Sequence, residues 1–364
     1  MNLMKIALMG FAGTNKEWSL GRLTYLIYKG LKELGEDVYL VSKYPSNGEF
    51  KSVKIRKLPK LFGKDILTDV ISHYLTVKRL NPDIYHFIYP HISASIMLLL
   101  PAKYKKILTV HDLKPLVLPE FMNRKEKINI MILKSVIKSI DKVIAVSENT
   151  KQQLIELLNV DEDKISVVYN PVDPIFRKLE EQEIFPIKRK IGKFIFNVSR
   201  YDRLKNPRNL IRAYKIIRRC FDIKLVITGE FWNYGINMIK EELGNINDVV
   251  IYTHLKDEEL VKYYNASEVF LFPSIYEGFG MPIIEAMACG TPVVTSNRWS
   301  MKELAEGVGL LVNPEDPEDI AEKVCKVLSD HNLKLDMIRK GLNKASQFNY
   351  INIARSLIKV YEEA

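Results

Sequence analysis

Cysteine is scarce in this chain, and long apolar runs are missing. The 364 residues include only Cys220, Cys289 and Cys325, which lie far apart in sequence. Their number and spacing fit neither a disulfide framework nor a zinc site, which favours a reducing, cytoplasmic location. The apolar run near Ile96–Leu100 is far shorter than the roughly 20 residues that a membrane-spanning helix needs. We therefore expect a cytoplasmic protein, soluble or peripheral on the inner face of the membrane.

Two common nucleotide-binding signatures are also absent. The apolar segment Lys5–Gly10 is followed by Gly13 but not by the Gly-x-Gly-x-x-Gly pattern of dehydrogenases. No P-loop ending in Gly-Lys-Ser or Gly-Lys-Thr occurs. Gly10 and Gly13 also interrupt the N-terminal apolar run, which predicts an opening β-strand and not a signal peptide. The sequence therefore disfavours a dehydrogenase and a P-loop enzyme.

Positive charge is concentrated in the first half of the chain. Up to Glu180 there are 28 Lys and Arg against 19 Asp and Glu, a net +9, whereas the remainder has 26 against 25, or +1. Such an excess suggests an anionic partner, for example a membrane surface, a lipid phosphate or an acidic polymer. We expect no nucleic-acid partner. Lysine that only decorates the surface is an equal alternative. The segment Arg124–Lys142 sets apolar residues among lysines, as do helices on anionic membranes and many ordinary solvated helices.

The order of elements predicts an α/β protein. With 47% hydrophobic residues, the chain is long enough for two cores. Apolar strands alternate with helical patterns, which predicts two Rossmann-like domains with right-handed crossovers. The charged, proline-bearing stretch from Lys178 to Gly192 is the best linker candidate. We place the domains at residues 1–178 and 179–347, followed by a helical segment at about 348–364.

The stretch Pro273–Thr295 carries the strongest local signals. Pro282 and Gly290 bound a short predicted helix, because proline suits the first helical turn and glycine suits the C-terminal cap. Phe279 and Gly280 precede this helix. Backbone bared by glycine can approach a ligand closely, and its N–H groups add to the positive end of the helix.

Two carboxylates belong to the same stretch. Glu285 falls among apolar residues of the predicted helix, where a carboxylate needs hydrogen-bond donors such as the hydroxyls of a sugar or a ribose. Glu277 lies eight positions before it, in the preceding loop.

Two cations lie between another predicted strand and helix. Arg200 and Lys205 follow the strand Phe194–Val198 and precede a helix predicted over Asn206–Cys220. Positive charge at a helix N-terminus is unfavourable unless an anion sits there. Arginine can hold phosphate bidentately while lysine offers a point charge. This segment therefore indicates an anion site, with a solvated loop as the alternative.

Two candidates lie in the first domain. His111 stands at the carboxyl end of a predicted parallel strand, where open α/β sheets bind ligands. Gly21 belongs to Ser19–Arg22, which opens a predicted helix and could cradle an anion. A helix N-cap at Ser19 explains the same residues equally well.

These segments resemble the retaining glycosyltransferases of family 4, which have the GT-B fold. EGFGMPIIEAMACGTPVV is similar to their Glu-x7-Glu segment, and Arg200 with Lys205 matches their Arg-x4-Lys element. His111 matches a histidine that the family places beside the donor sugar. Ser19–Arg22 resembles the family's N-terminal glycine loop, with serine in place of the first glycine. The resemblance implies two Rossmann-like domains facing across a central crevice, with the C-terminal helix crossing back to the first.

The resemblance also implies a chemistry: a hexosyl group moves from a GDP- or UDP-sugar, without metal or cofactor, to a glycan, lipid-linked or other hydroxyl acceptor. Glu285 would hold the ribose, and Arg200 with Lys205 the diphosphate. The sugar hydroxyls would meet Glu277 and the backbone of Phe279, Gly280 and Met281. His111 and Gly21 would close over the donor from the first domain.

Two other interpretations of the sequence compete with this enzyme. A catalytically silent subunit that binds a nucleotide sugar would keep the fold, although it need not keep all the charged residues. Asp161–Asp163 fits the Asp-x-Asp metal motif of a different glycosyltransferase fold, but its place in a helix-to-strand turn favours a solvated acidic turn.

Overall fold

The computed structural model describes residues 3–9, 19–42, 50–55, 66–89, 96–122 and 124–364. The chain divides into two units. The first comprises Met1–Pro171 with Tyr350–Ala364, and the second comprises Val172–Asn349. Ser19–Arg22, the segment predicted to cradle an anion, forms the start of the first helix, Ser19–Glu33, and residues 10–18 before it lie outside the described residues.

The first unit is built on a parallel sheet, in which seven described strands pair in the order β3-β2-β1-β4-β5-β6-β7. The strands are β1 Lys5–Met9, β2 Asp37–Ser42, β3 Ser52–Lys54, β4 Ile84–Phe87, β5 Lys105–Val110, β6 Lys142–Ala145 and β7 Ile165–Val167. Helices accompany them at α1 Ser19–Glu33, α2 Ile66–Leu80, α3 Lys114–Val117, α4 Arg124–Val136 and α5 Glu148–Leu158.

This sheet is covered on both faces. Successive strand residues point to opposite sides, so Ile6 and Leu8 join one buried cluster while Ala7 and Met9 join another. A parallel sheet buried on both faces needs near-continuous apolar strands. That requirement explains why the strands could be located from sequence as short apolar runs.

The second unit repeats the plan with a parallel sheet of six strands in the order β10-β9-β8-β11-β12-β13. The strands are β8 Phe194–Val198, β9 Lys224–Thr228, β10 Val249–Tyr252, β11 Val269–Phe272, β12 Val293–Ser296 and β13 Leu310–Val312. The helices are α6 Glu181–Ile191, α7 Pro207–Ile217, α8 Ile236–Leu243, α9 Asp257–Ala266, α10 Met281–Ala288, α11 Trp299–Ala305, α12 Pro317–Ser329 and α13 His331–Ser346.

The last helix, α14 Tyr350–Glu362, belongs to the first unit, where it lies against α1. Its buried residues include Ala354, Leu357 and Tyr361, which share a cluster with Ile27 of α1. A Cβ added at Gly30 would lie 2.6 Å from the Tyr350 carbonyl oxygen, so glycine lets the two helices approach. The predicted return of the C-terminal helix to the first domain is therefore found.

One expectation was wrong. The stretch from Lys178 to Gly192 is largely helix α6 and not an irregular linker. A capping box between Glu180 and Glu183 starts the helix, Ile184 on it is buried, and the helix packs against α9. The charge of this stretch and its internal Pro186 suggest a linker, whereas the helical spacing of its apolar residues agrees with the helix that forms.

Candidate active site

The second-unit residues that are predicted to bind the donor collect at one edge of the second sheet. All six strands run parallel, so their carboxyl ends lie on the same side, and ligands bind beyond that side in open α/β folds. Arg200 follows β8 and Glu277 follows β11, and these strands are neighbours in the sheet. The loops after β8 and β11 therefore meet.

An ion pair joins the two loops. The Lys205 ammonium donates to the Glu277 carboxylate, and the side chains of both residues are largely removed from solvent, at 22% and 15% exposure. The Lys205 Nζ also lies 5.7 Å from the centre of the Phe272 ring. The Glu277 backbone is held as well, because its carbonyl accepts a hydrogen bond of 2.8 Å from the Ser300 hydroxyl. Lysine and carboxylate thus form one preorganised pair.

Arg200 is the more open of the two cations. Its side chain is 56% exposed, and its Nη2 donates to the Asp202 Oδ2 at 2.9 Å. The other oxygen of Asp202 accepts from the Leu204 N–H at 2.8 Å, which ties the carboxylate to a 3-10 turn over Arg203–Lys205. The guanidinium is held by Asp202 through Nη2 and is open to solvent elsewhere, so it can reach an arriving anion.

Asn206 fixes the position of these cations, a role that the sequence analysis did not assign. Its backbone is left-handed, with φ +58°, a conformation that asparagine tolerates better than most residues. The Nδ2 amide donates to the carbonyls of Pro273 at 3.0 Å and Pro314 at 2.5 Å. One side chain thereby ties the loops after β8, β11 and β13 together.

The glycine turn ahead of α10 forms as expected, although the helix begins one residue earlier than predicted. Gly280 has φ +105° and precedes Met281, the first helical residue. The Phe279 side chain is buried beside Phe348, with ring centres 6.0 Å apart, so only its backbone can contribute to the turn. The N-terminal N–H groups of a helix favour anions, although α10 is short.

Glu285 lies on α10 with 7% of its surface exposed. The Tyr264 hydroxyl donates to its Oε2 at 3.1 Å, which supplies part of the polar environment that burial requires. The neighbouring Cys289 thiol has a raised pKa, first because it is buried and second because of the Glu285 charge. The donor seen here is a protein hydroxyl, whereas the sequence predicted the hydroxyls of a sugar or a ribose for this carboxylate.

His111 directly follows β5 in the first unit. Its Nε2 lies 2.7 Å from the Ile88 carbonyl oxygen. A carbonyl can only accept, so Nε2 carries a proton and Nδ1 remains an acceptor while the ring is neutral. Burial lowers the pKa of the ring, although the Ile88 carbonyl and Asp112 oppose this shift. Gly21 lies in the first turn of α1 and is buried.

The acidic turn at residues 161–163 precedes β7, at the opposite edge of the first sheet from the carboxyl end of β5 that carries His111. Within the described ranges, no three His, Cys, Asp or Glu side chains are grouped to hold a metal ion. Glu162 instead pairs with Lys151 at 2.8 Å, and its own side chain is 71% exposed. This agrees with a solvated acidic turn.

Comparison with known proteins covers both units. The model of the family described as "Glycosyltransferase Family 4" matches residues 20–176, and that of "Glycosyl transferases group 1" matches residues 180–344. The O-antigen chain mannosyltransferase B of Escherichia coli is 28% identical over 71% of this chain and 70% of its own length. The chain spans 70% of the length of this mannosyltransferase, and 60% and 37% of the lengths of two other curated relatives that it matches.

Solved structures share the fold. A glycosyltransferase from Rickettsia africae has a TM-score of 0.81 at 22% identity, covering 100% of this chain and 99% of its own. Anabaena HepE, solved in complex with UDP and glucose, has a TM-score of 0.78 at 18% identity, covering 98% of each chain. These neighbours and this chain share the GT-B fold, which consists of two parallel α/β units. The chain belongs to glycosyltransferase family 4, within the group 1 glycosyl transferases.

No helix in the described part of the chain is both long and apolar enough to cross a membrane.

Proposed function

We propose that this glycosyltransferase moves a hexosyl group from a GDP- or UDP-sugar to a hydroxyl acceptor, with retention of anomeric configuration and without a divalent metal. The convergence of Arg200, Lys205 and Glu277 with the Gly280 turn at one sheet edge carries the proposal. The UDP and glucose bound by HepE support a nucleotide-sugar donor. The mannosyltransferase relative supports a hexose.

The charges of the site suit a departing diphosphate. In transfer, the bond from the anomeric carbon to the diphosphate oxygen breaks, and the acceptor oxygen bonds to that carbon as its hydroxyl proton passes to the departing diphosphate. Negative charge grows on the diphosphate, where preorganised cations are most effective. Arg200 and Lys205 would bear that charge, and Glu277 would hold Lys205 in place and accept from sugar hydroxyls. Glu285 would accept from the ribose hydroxyls.

The first-unit candidates would act on the sugar end of the donor. The Nδ1 of His111 is a hydrogen-bond acceptor in the neutral ring, so it could accept from a sugar hydroxyl. Gly21, in the first turn of α1, would offer backbone without a side chain in the way.

Replacing Arg200 tests the site. We expect Arg200→Ala to lower kcat by about 10²–10³, the usual effect of removing one charge-stabilising donor. Arg339→Ala is the matched control, because Arg339 lies on α13 with a side chain that is 75% exposed. Equal kcat values for Arg200→Ala and the wild type would remove Arg200 from the reaction.

Metal independence and retention have direct measurements. Activity should survive exhaustive chelation with EDTA, since two side-chain cations replace the divalent ion. Proton NMR of the first product formed should show the anomeric configuration of the donor. Loss of activity on chelation that added Mg²⁺ or Mn²⁺ restores would contradict the first claim, and inversion would contradict the second.

A silent nucleotide-sugar-binding subunit is the competing function. Hydrolysis of GDP- and UDP-sugars without acceptor, followed by transfer to a panel of glycan and lipid-linked acceptors, separates the two. Tight binding of a donor with no turnover under any condition would favour the silent subunit.

We further propose that the first unit meets an anionic surface or a lipid-linked acceptor through α4. Ile128 and Met131 on this helix are 49% and 62% exposed. Among the described side chains of the helix and the turn after it, four basic residues are exposed: Arg124, Lys127, Lys134 and Lys138. The acidic Glu126 is already paired with Lys114, at 2.6 Å. Apolar residues rimmed by cations suit an anionic membrane interface.

Vesicle flotation tests this surface. The protein should float with vesicles containing phosphatidylglycerol and not with pure phosphatidylcholine, and Met131→Ser with Ile128→Ser should weaken flotation. Leu335→Ser is the control, because Leu335 is 51% exposed in the second unit. Equal flotation with both vesicle types, or none with either, would count against the membrane contact.

A further inference from the structure

Two exposed aromatic rings stand on the loop after β9. Phe231 is 50% exposed and Tyr234 is 71% exposed. Their ring centres are 6.4 Å apart and their planes are inclined by 28°, an offset stack. The second ring adds little burial to the first, so this pair leaves aromatic faces open to solvent.

The backbone of Phe231 is strained. Its φ is +67° and its ψ is +4°, in the left-handed region. A residue with a β-carbon is disfavoured there, whereas glycine adopts this conformation freely. A half-exposed ring recovers little of that cost through packing. Strain of this kind collects at functional sites, where the side chain is needed in one position.

The rest of the loop is locked. Trp232 is fully buried, and its Nε1 donates to the Ser199 carbonyl at 2.6 Å. A Cβ on Gly229 would lie 2.2 Å from the same oxygen, and one on Gly235 would lie 2.7 Å from the Tyr201 ring. The backbone of the loop is therefore held against Ser199 and Tyr201, the residues on both sides of Arg200.

The strand order places the loop that carries the two rings next to the loop that carries Arg200 and Lys205, the cations proposed to bind the diphosphate. β9 lies between β8 and β10, so the loop after β9 is the next one along the carboxyl edge from Arg200. A nucleoside diphosphate whose phosphates meet Arg200 must extend its base along or away from this edge. A nucleobase offers a flat π face, and base–aromatic stacking tolerates any base.

We propose that Phe231 and Tyr234 form a stacking platform for the nucleobase of the donor. The proposal rests on the proposed function, because it requires a nucleoside diphosphate at Arg200 and Lys205. It gives the second unit an affinity for the base that is independent of charge. It also accounts for a phenylalanine where the backbone would prefer glycine.

Calorimetric titration with UDP, GDP, ADP and inorganic pyrophosphate tests the platform. We expect Phe231→Gly and Tyr234→Ala each to weaken binding about 5- to 140-fold for the nucleoside diphosphate that the wild type binds most tightly. This is the range of one base–aromatic stack. Pyrophosphate binding should not change, because it has no base. Phe231→Trp should bind within about fivefold of the wild type, since it keeps a ring for stacking. Phe185→Ala is the control, because Phe185 is 56% exposed on α6.

The stability of Phe231→Gly separates a ligand-binding ring from a structural one. Glycine relieves the left-handed strain, so the melting temperature should stay or rise while affinity falls. A fall in melting temperature together with affinity, or an equal loss for pyrophosphate, would overturn the platform. Wild-type affinity in both ring variants would overturn it and leave the proposed function standing. Failure of the wild type to bind any nucleoside diphosphate would overturn both.

Discussion

Acid should destabilise the first unit through His86, a fully buried residue of β4. Its Nδ1 lies 2.7 Å from the Tyr361 hydroxyl on α14, and its Nε2 lies 2.7 Å from the Thr109 hydroxyl on β5. Burial, with a smaller contribution from the charge of His111, lowers the pKa of the ring from 6.5 to about 3. The ring therefore stays neutral in the folded protein through mildly acidic conditions.

The sign and size follow from proton linkage. Because the folded pKa is depressed, the stabilising effect is complete above pH 6.5 and is lost as pH falls towards 3. Between these values the unfolded chain binds a proton that the folded chain does not, so stability falls by about 1.4 kcal/mol per pH unit. From pH 6.5 to 4.5 the loss is about 2–3 kcal/mol, a large share of a typical folding free energy of about 5–15 kcal/mol.

Calorimetry of the wild type and His86→Gln at pH 7 and pH 4.5 measures this effect. Glutamine cannot take up a proton, so the melting temperature of the first unit should depend less on pH in His86→Gln than in the wild type. The transition of the first unit is the one that this substitution shifts. The difference should be about 5–10 °C, since 1 kcal/mol moves a unit of this size by about 2–4 °C. His331→Gln, at an exposed histidine of α13, should behave as the wild type. Equal acid shifts in wild type and His86→Gln would refute the argument.

Three further predictions concern the second unit. Gly229→Ala should lower the melting temperature by at least about 4 °C, because its φ is +149° and its Cβ would meet the Ser199 carbonyl; an unchanged value in calorimetry would contradict this. A thiol reagent should modify exposed Cys220 rapidly in the native protein and leave Cys289, which is buried and has a raised pKa, until unfolding; peptide mass spectrometry distinguishes them. Glu285→Ala should weaken the binding of a ribonucleoside diphosphate about tenfold or more. The binding of its 2′,3′-dideoxy analogue should stay unchanged in the same titration, and equal losses of affinity for the two nucleotides would show that Glu285 does not contact the ribose.

Local signals were enough to locate the strand before Arg200. β8 has the predicted bounds, Phe194–Val198, because it is a short apolar run between polar or turn residues. The helix after Gly280 was within one residue at each end, since proline and glycine mark helix ends through backbone geometry that is local to them. Local rules failed at α6, where an internal proline and high charge suggested a linker.

The sequence by itself determined the α/β class, the family and the residue types of the candidate site, because these depend on short apolar runs and on motifs whose spacing is written in the chain. Only the tertiary structure decided that Lys205 pairs with Glu277 across 72 positions and that Asn206 reaches Pro314 across 108. It also decided that Phe231 takes a left-handed backbone beside Arg200. Such pairings depend on which strands become neighbours in the sheet, and strand order is fixed by the packing of the whole unit and not by any local pattern.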